Sequence, residues 1–352
     1  MQSGAVATGA DIVRKLTNKL IHGCVKGAAP MKDQLMKGLW LDDGQFSYRE
    51  DLVRPKASTG ELLLKTLCTG ICGTDLELQR GYYGYTGIAG HEFVGEVVSQ
   101  GNLSGKRVVT DINIGCGHCS YCDQGLENHC SARSVIGIKN QAGAFAEYLV
   151  VPEANIYLVP DSLSNHQAVL IEPLAAALEV LEQVDVAGID RALVIGAGRL
   201  GLLCAEVLAA SGLEVSVLVR SKARLQHFRN DTITTLDQND FDELPGKSFP
   251  LIVESSGSPA GFASALAKIA PRGTVVMKST YYGKLELDAS QVVVNEVTLL
   301  GSRCGPFDTA LDWMSQHALS HLAFSSHPFS QVDRAFSDAT NPSIYKVVFE
   351  PG

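Results

Sequence analysis

The stretch "RALVIGAGRLGLLCAEVLAASGLEVSVLVRS", residues 191–221, restricts the fold of this chain more than any other. A short apolar run reads as a buried strand, and a glycine turn follows it. An alanine- and leucine-rich helix and a second apolar strand come next. That order is a βαβ unit, whose two strands lie parallel in one sheet. Gly196, Gly198 and Gly201 form G-x-G-x-x-G between the first strand and the helix. There the first glycine permits the turn, the second lets a pyrophosphate approach the backbone, and the third allows close helix–strand packing. With Arg199 and Leu200 they open the helix, whose N-terminus offers free N–H groups and a positive dipole end to phosphate. A dinucleotide is the expected ligand. An NAD site expects a carboxylate about 20 residues on, at the end of the second strand. Here that strand ends in Arg220, Ser221 and Lys222. Two cations stand where a 2′-phosphate would lie, so NADP(H) is the expected cofactor. NAD(H) is the alternative if these are ordinary surface charges.

At 352 residues the chain is long enough for two domains. A net charge of −9 argues against a nucleic-acid partner, which wants a basic surface. No apolar run approaches the roughly 20 residues of a membrane helix, and no partner membrane is expected. The chain does not open with a basic region followed by an apolar one, and nine cysteines is an odd count. A reducing, cytoplasmic setting is expected, and in it clustered cysteines hold metal rather than disulfides. Residues 1–35 stand apart, with five cations against Asp11 and Asp33, and with Ile12, Val13, Leu16 and Leu20 at helical spacing. They are read as an N-terminal extension, either a solvated segment or an organellar transit peptide.

From residue 36 to about 175 the sequence is short β-type runs broken by glycine: Glu61–Leu67, Phe93–Val98, Arg107–Thr110 and Phe145–Val151. Near residue 176 the texture turns helical, and the βαβ unit follows. Further apolar runs at Leu251–Glu254, Thr274–Met277 and Val297–Gly301 extend a parallel sheet buried on both faces. The closing "YKVVFEP" is again strand-like and is expected to rejoin the first part.

Cys116, Cys119, Cys122 and Cys130 fall within fifteen positions, with His118 and His129 interleaved. Three other segments carry donor atoms: "GICGTDLEL" holds Cys72, "GHEFVGEV" holds His91 and Glu92, and "IEPLAAAL" holds Glu172. A thiolate, an imidazole and a carboxylate around one zinc, with a position left open, make a catalytic site.

These motifs together resemble the zinc-dependent medium-chain dehydrogenase/reductase family of alcohol, sorbitol, threonine and glucose dehydrogenases. The resemblance covers the chain from about Lys37 onward and rests on four motifs in order: "GICGTD", "GHE", the four-cysteine lobe and G-x-G-x-x-G. It implies an α/β fold: a GroES-like, mostly-β catalytic domain over 36–175 and 304–352, and a Rossmann doubly wound domain over 176–303. It implies two zinc ions per chain. Cys116, Cys119, Cys122 and Cys130 would hold a structural one, leaving His118 and His129 surplus. Cys72 and His91 would hold the catalytic one, with the remaining place open between Glu92 and Glu172. The reaction implied is reversible oxidation of an alcohol, zinc polarising the substrate oxygen and hydride passing to the nicotinamide. Thr74 resembles the start of the family's proton relay and Asp75 a partner that orients His91. Lys346 resembles a contact to the cofactor pyrophosphate.

Two departures stand out. Where many alcohol dehydrogenases carry a relay histidine, this chain has Glu77, as some sugar-oxidising relatives do. The segment between Lys222 and Leu251 is polar and shows no clear strand–helix rhythm. The expected substrate is a secondary alcohol, polyol or sugar-like molecule, with Tyr82, Tyr83 and Tyr85 as candidate walls or packing residues. Dimers or tetramers are the rule among such relatives. A zinc-ribbon interaction protein is disfavoured by the acidic charge and the dinucleotide unit. A zinc-free quinone reductase is disfavoured by the donors present, and a zinc hydrolase by the lack of H-E-x-x-H.

Overall fold

The computed structural model describes residues 32–280, 284–317 and 319–351, and the expected N-terminal amphipathic segment lies outside the described residues. The chain divides into residues 1–35 and 36–352, and the candidate sites lie in the second unit. Strands β1 (Leu35–Asp42) and β2 (Gln45–Val53) pair with each other. The glycine-punctuated runs fold into β3 (Glu61–Gly70), β4 (Glu92–Val97) and β5 (Arg107–Thr110), and further on into β9 (Tyr148–Pro152) and β10 (Ile156–Leu158). Between them, β6 (Asn113–Ile114), β7 (Ser134–Ile136) and β8 (Asn140–Gln141) form a small separate sheet beside the four-cysteine segment.

Six parallel strands form the second sheet: β11 (Arg191–Ile195), β12 (Glu214–Leu218), β13 (Ile233–Leu236), β14 (Phe249–Glu254), β15 (Ile269–Met277) and β16 (Thr298–Gly301). Their order is β13-β12-β11-β14-β15-β16, the doubly wound arrangement that reverses direction beside the first strand. Four of the five residues of β11 and five of the six of β14 are buried, which is why these strands read as unbroken apolar runs. The polar segment after Lys222 does contain a strand, β13. It has four residues, two of them threonines, and lies at the sheet edge, so neither length nor hydropathy announced it.

Strands β17 (Phe324–His327) and β18 (Lys346–Phe349) return to the first sheet. Its order is β10-β5-β4-β3-β18-β17, with β9 also on β3. Val348 lies opposite Gly70 and Phe349 opposite Thr69, so the closing run rejoins the opening strands as expected.

Among the described residues the helices are α1 (Gly73–Gln79), α2 (Asn165–Ala168), α3 (Ile171–Gln183), α4 (Arg199–Ala210), α5 (Gln238–Glu243), α6 (Pro259–Lys268), α7 (Ala289–Val294), α8 (Phe307–Gln316) and α9 (Val332–Ala339). Helix α3 begins at Ile171, ahead of its alanine run, because Pro173 in the first turn needs no N–H partner. The boundary expected at residue 175 therefore falls inside one helix. Helix α3 packs against α4 and α8 and touches β4 and β5. One apolar core runs from Cys68 and Val94 through Leu174 and Leu178 to Val194 and Val253. Each fully buried Val or Leu there contributes roughly 1.5–3 kcal/mol, so the two sheets share their stability.

Candidate active site

Cys72 sits at the start of α1 in extended conformation, just past the end of β3. Its N–H donates to Asp75 Oδ2 at 2.8 Å, a reciprocal cap that fixes both residues in the first turn. His91 and Glu92 enter β4 on the neighbouring strand, both buried. The Cys72 sulfur, a His91 ring nitrogen and a Glu92 oxygen lie within 4.8 Å of one another. Behind them Asp75 Oδ1 stands 3.7 Å from His91 Nδ1, and neither buried atom has a hydrogen-bond partner among the described residues. A histidine that gives one ring N–H to a carboxylate keeps its other nitrogen for a metal. Cys72 itself is only half-buried, which leaves the cluster open on one side. The donor set and the waiting Asp75 fit a catalytic zinc.

Burial pushes the Cys72 thiol up, opposed chiefly by the nearby Lys346 ammonium. Burial likewise raises Asp75 and Glu172, and His91 is the main opposing charge for each. Glu172, in the first turn of α3, is not one of the three clustered donors, yet it faces His91 electrostatically. Lys346, expected at a pyrophosphate, is fully buried and donates to Glu92 Oε2. Its pKa is pushed down to about 8 by that burial, against the pull of Cys72 and Asp75.

Thr74 places its hydroxyl 3.8 Å from the Cys72 sulfur. Glu77 is not brought to the cluster, because its carboxylate accepts from Arg80 at 2.5 Å on the outer face of α1. Tyr85 donates to the Ile88 carbonyl at 2.8 Å, which makes it a packing residue, and Tyr83 is largely exposed.

The glycine turn divides its labour by position. Gly196 has φ +110°, and a side chain there would strike Ser256. A Cβ at Gly201 would collide with the Gly196 carbonyl oxygen. At Gly198 a Cβ would meet nothing, which leaves that face open for a pyrophosphate. Leu200 packs against the shared core. Arg199 turns toward the C-terminal segment: its Nε donates to the Tyr345 carbonyl at 3.0 Å and a terminal nitrogen to Ala339 at 2.5 Å. Tyr345 returns a bond from its hydroxyl to the Arg199 carbonyl at 2.9 Å. Past the end of β12, Arg220 and Lys222 are exposed and Ser221 is half-buried, with no carboxylate among them.

The four lobe cysteines also converge within 4.8 Å, with Cys119 and Cys122 sulfurs 3.6 Å apart and Cys116 and Cys122 at 4.0 Å. A backbone bond from Cys122 pulls the Cys119 thiol down to about 6. His118 bonds its own loop at the Cys116 carbonyl, 2.7 Å away, and takes no part in the tetrad. Four thiols and no open position suit a structural zinc.

Sequence reasoning missed a second wall near Glu172. Lys278, just after β15, donates to Ser302 at 2.9 Å, and Asn113 donates to the Cys304 sulfur at 3.3 Å. The available signal was position: Lys278 and Cys304 follow the carboxyl ends of parallel strands, where such sheets bind ligands.

A dinucleotide-type sheet whose glycine turn stands beside a Cys–His–Glu cluster defines an NAD(P)-dependent dehydrogenase. Residues 58–161 match the family model described as the alcohol dehydrogenase GroES-like domain, and residues 200–316 the one described as zinc-binding dehydrogenase. The chain belongs to the zinc-type medium-chain dehydrogenase/reductase family, and it is an alcohol-type oxidoreductase with GroES-like and Rossmann parts. It is 32% identical to L-galactonate-5-dehydrogenase of Escherichia coli K12 over 71% of this chain and 77% of that one. It is 30% identical to L-threonine 3-dehydrogenase of Pseudoalteromonas atlantica over 79% and 84%. Among solved structures, an alcohol dehydrogenase of Escherichia coli CFT073 complexed with NADH superposes with a TM-score of 0.81 at 27% identity, over 90% of this chain and 99% of that one. A zinc-binding dehydrogenase of Sinorhizobium meliloti 1021 bound to NADP gives 0.80 at 25% identity, over 90% and 99%. Among the described residues no helix is long and apolar enough to cross a membrane.

Proposed function

We propose that this chain is a zinc-dependent dehydrogenase moving a hydride between NADP(H) and a secondary alcohol of polyol or sugar-like type. The observation that carries the reading is the convergence of Cys72, His91 and Glu92, with the unpartnered Asp75 oxygen behind the imidazole. Cys72, His91 and either Glu92 or Glu172 would hold the catalytic zinc, and Cys116, Cys119, Cys122 and Cys130 a structural one. When bound, the catalytic ion supplies Lewis acidity toward the substrate oxygen. Asp75 fixes the tautomer and direction of His91. Lys346 holds Glu92 by its ammonium, and releasing that pair frees one carboxylate to exchange with the other. Thr74, beside Cys72, takes the first hydroxyl of a proton path, which then leaves through solvent because Glu77 is engaged with Arg80.

The turn from Gly196 to Gly201 binds the pyrophosphate, and Arg220, Ser221 and Lys222 face the adenosine end. In this reading residues 36–175 and 304–352 form the catalytic part and 176–303 the dinucleotide part. Relatives named for L-galactonate and L-threonine, each a hydroxy acid, support a polar substrate with a secondary hydroxyl.

The test is turnover of a polyol and sugar-acid panel with NADP+ and NAD+, alongside elemental analysis for zinc. The expected result is higher kcat/KM with NADP+, narrowed in Lys222→Ala, and a folded Cys72→Ser protein that has lost turnover. Unchanged turnover in Cys72→Ser removes the catalytic-zinc assignment, and a preference for NAD+ removes the cofactor assignment.

A further inference from the structure

A third group of metal-type donors gathers around β3 and the end of β18, and it shares no residue with either zinc candidate. Cys68 comes from β3, His166 from α2 and Glu350 from the residue after β18. The Cys68 sulfur, a His166 ring nitrogen and a Glu350 oxygen all lie within 4.8 Å of one another. His166 Nε2 is 3.0 Å from Glu350 Oε1, and the Ser326 hydroxyl stands 3.5 Å from the same nitrogen. The imidazole is fixed by stacking on Phe324, with ring centroids 4.6 Å apart and planes 3° from parallel. Cys68 is fully buried beneath the pair, whereas the His166 and Glu350 side chains are 40% and 46% exposed.

We infer that Cys68, His166 and Glu350 form a further binding site for a zinc-like divalent ion. One thiolate, one imidazole and one carboxylate are each donors that zinc accepts, at about 2.3, 2.0–2.1 and 2.0–2.2 Å. Nitrogen and oxygen ligands at those lengths on a tetrahedral ion stand roughly 3.3 Å apart, so the 3.0 Å His166–Glu350 separation needs little adjustment. The thiol gives up its proton as the ion binds. The two exposed donors let the ion enter from solvent, and the buried sulfur closes the inner side. A water beside the Ser326 hydroxyl completes four ligands. The ion would fasten the end of β18 to β3 and to the turn leading into α3, which carries Glu172. That makes it a staple rather than a reaction centre.

An ordinary ion pair lying over an inert thiol predicts no metal, and the two readings separate by counting. Full-length protein, with its other metal sites filled, is equilibrated with buffered micromolar free zinc and analysed for zinc per chain. His166→Ala and Glu350→Gln change half-exposed groups, and circular dichroism checks that both variants fold. Each is expected to hold one equivalent fewer than the unmodified chain, to keep its turnover, and to lose part of the rise in Tm that zinc produces. Equal zinc content in all three proteins overturns the site. Undiminished zinc in a folded Cys68→Ala protein also overturns it, because the ion would then sit on His166 and Glu350 alone. The readout is a difference of one equivalent, so it stands whether or not Cys72 proves to hold a catalytic ion.

Discussion

Asp75 does two jobs with two oxygens: one caps α1 at Cys72, and the other faces His91. In Asp75→Asn the amide can keep the cap, but its other atom is a donor aimed at the ring nitrogen that should itself donate. Zinc affinity or turnover should fall about 10–100-fold, with little loss of Tm, as metal titration and kinetics can measure. Asp111 offers a pH test. Burial raises its carboxyl above the ordinary 3.8, although Asn113 donates two bonds to it. A raised value means the folded state holds this proton more tightly than the unfolded one. The contribution is present below 3.8 and is lost as pH rises through the folded value. Asp111→Asn should therefore gain stability relative to the parent as pH rises across that window and none below it, in urea titrations at matched metal content. At this scale, the lobe cysteines were legible from their spacing, and Cys72, His91 and Glu92 from the motifs that hold them; each set converges on its own. The Glu92–Lys346 pair was not, since its partners lie 254 positions apart and nothing local encodes their meeting. Glu77 was legible as a residue but not as a contact, because Arg80 three positions on captures it.

Among elements, the glycine turn carries the clearest division of roles. Gly198→Ala adds a methyl to open space at an allowed φ of −78°, so Tm should hold while KM for the cofactor rises. Gly201→Ala forces α4 away from the turn, and overpacking of that kind costs about 1–3 kcal/mol. Denaturant unfolding without cofactor, set beside cofactor kinetics, distinguishes the two. The strands of the parallel sheet were readable where they are buried on both faces, as at β11 and β14. The edge strand β13 was not readable, because one exposed side lets threonine replace the apolar signal. Helix α3 was found late by five residues, since its first turn owes its shape to tertiary packing and a tolerated proline rather than to propensity.

On the scale of the molecule, Arg199 joins the dinucleotide turn to the segment running from α9 into β18. Its two outward bonds and the returning Tyr345 hydroxyl form a closed clasp. Hydrogen bonds to a charged donor contribute about 1.5–3 kcal/mol each when their partners are otherwise unsatisfied. Arg199→Ala should lower unfolding free energy by about 2–3 kcal/mol in the absence of cofactor, measured by denaturant titration. The two-part organisation was visible in sequence texture, but the single core spanning both sheets was not, because it is assembled from residues far apart in the chain.

That β18 completes the first sheet also bears on how the molecule is made. The strands from β11 to β16 end at Gly301, so a ribosome has released the whole parallel sheet while Lys346 is still untranslated. Domains generally fold as they emerge, at about 5–20 residues per second. The dinucleotide part can thus form before the opening strands have their last neighbour. Until then the far end of β3 is an unpaired edge, and Glu92 waits without its ammonium. A nascent chain that stalls before Lys346 is therefore a half-built enzyme, with its cofactor fold in place and a sticky margin beside an unfinished centre.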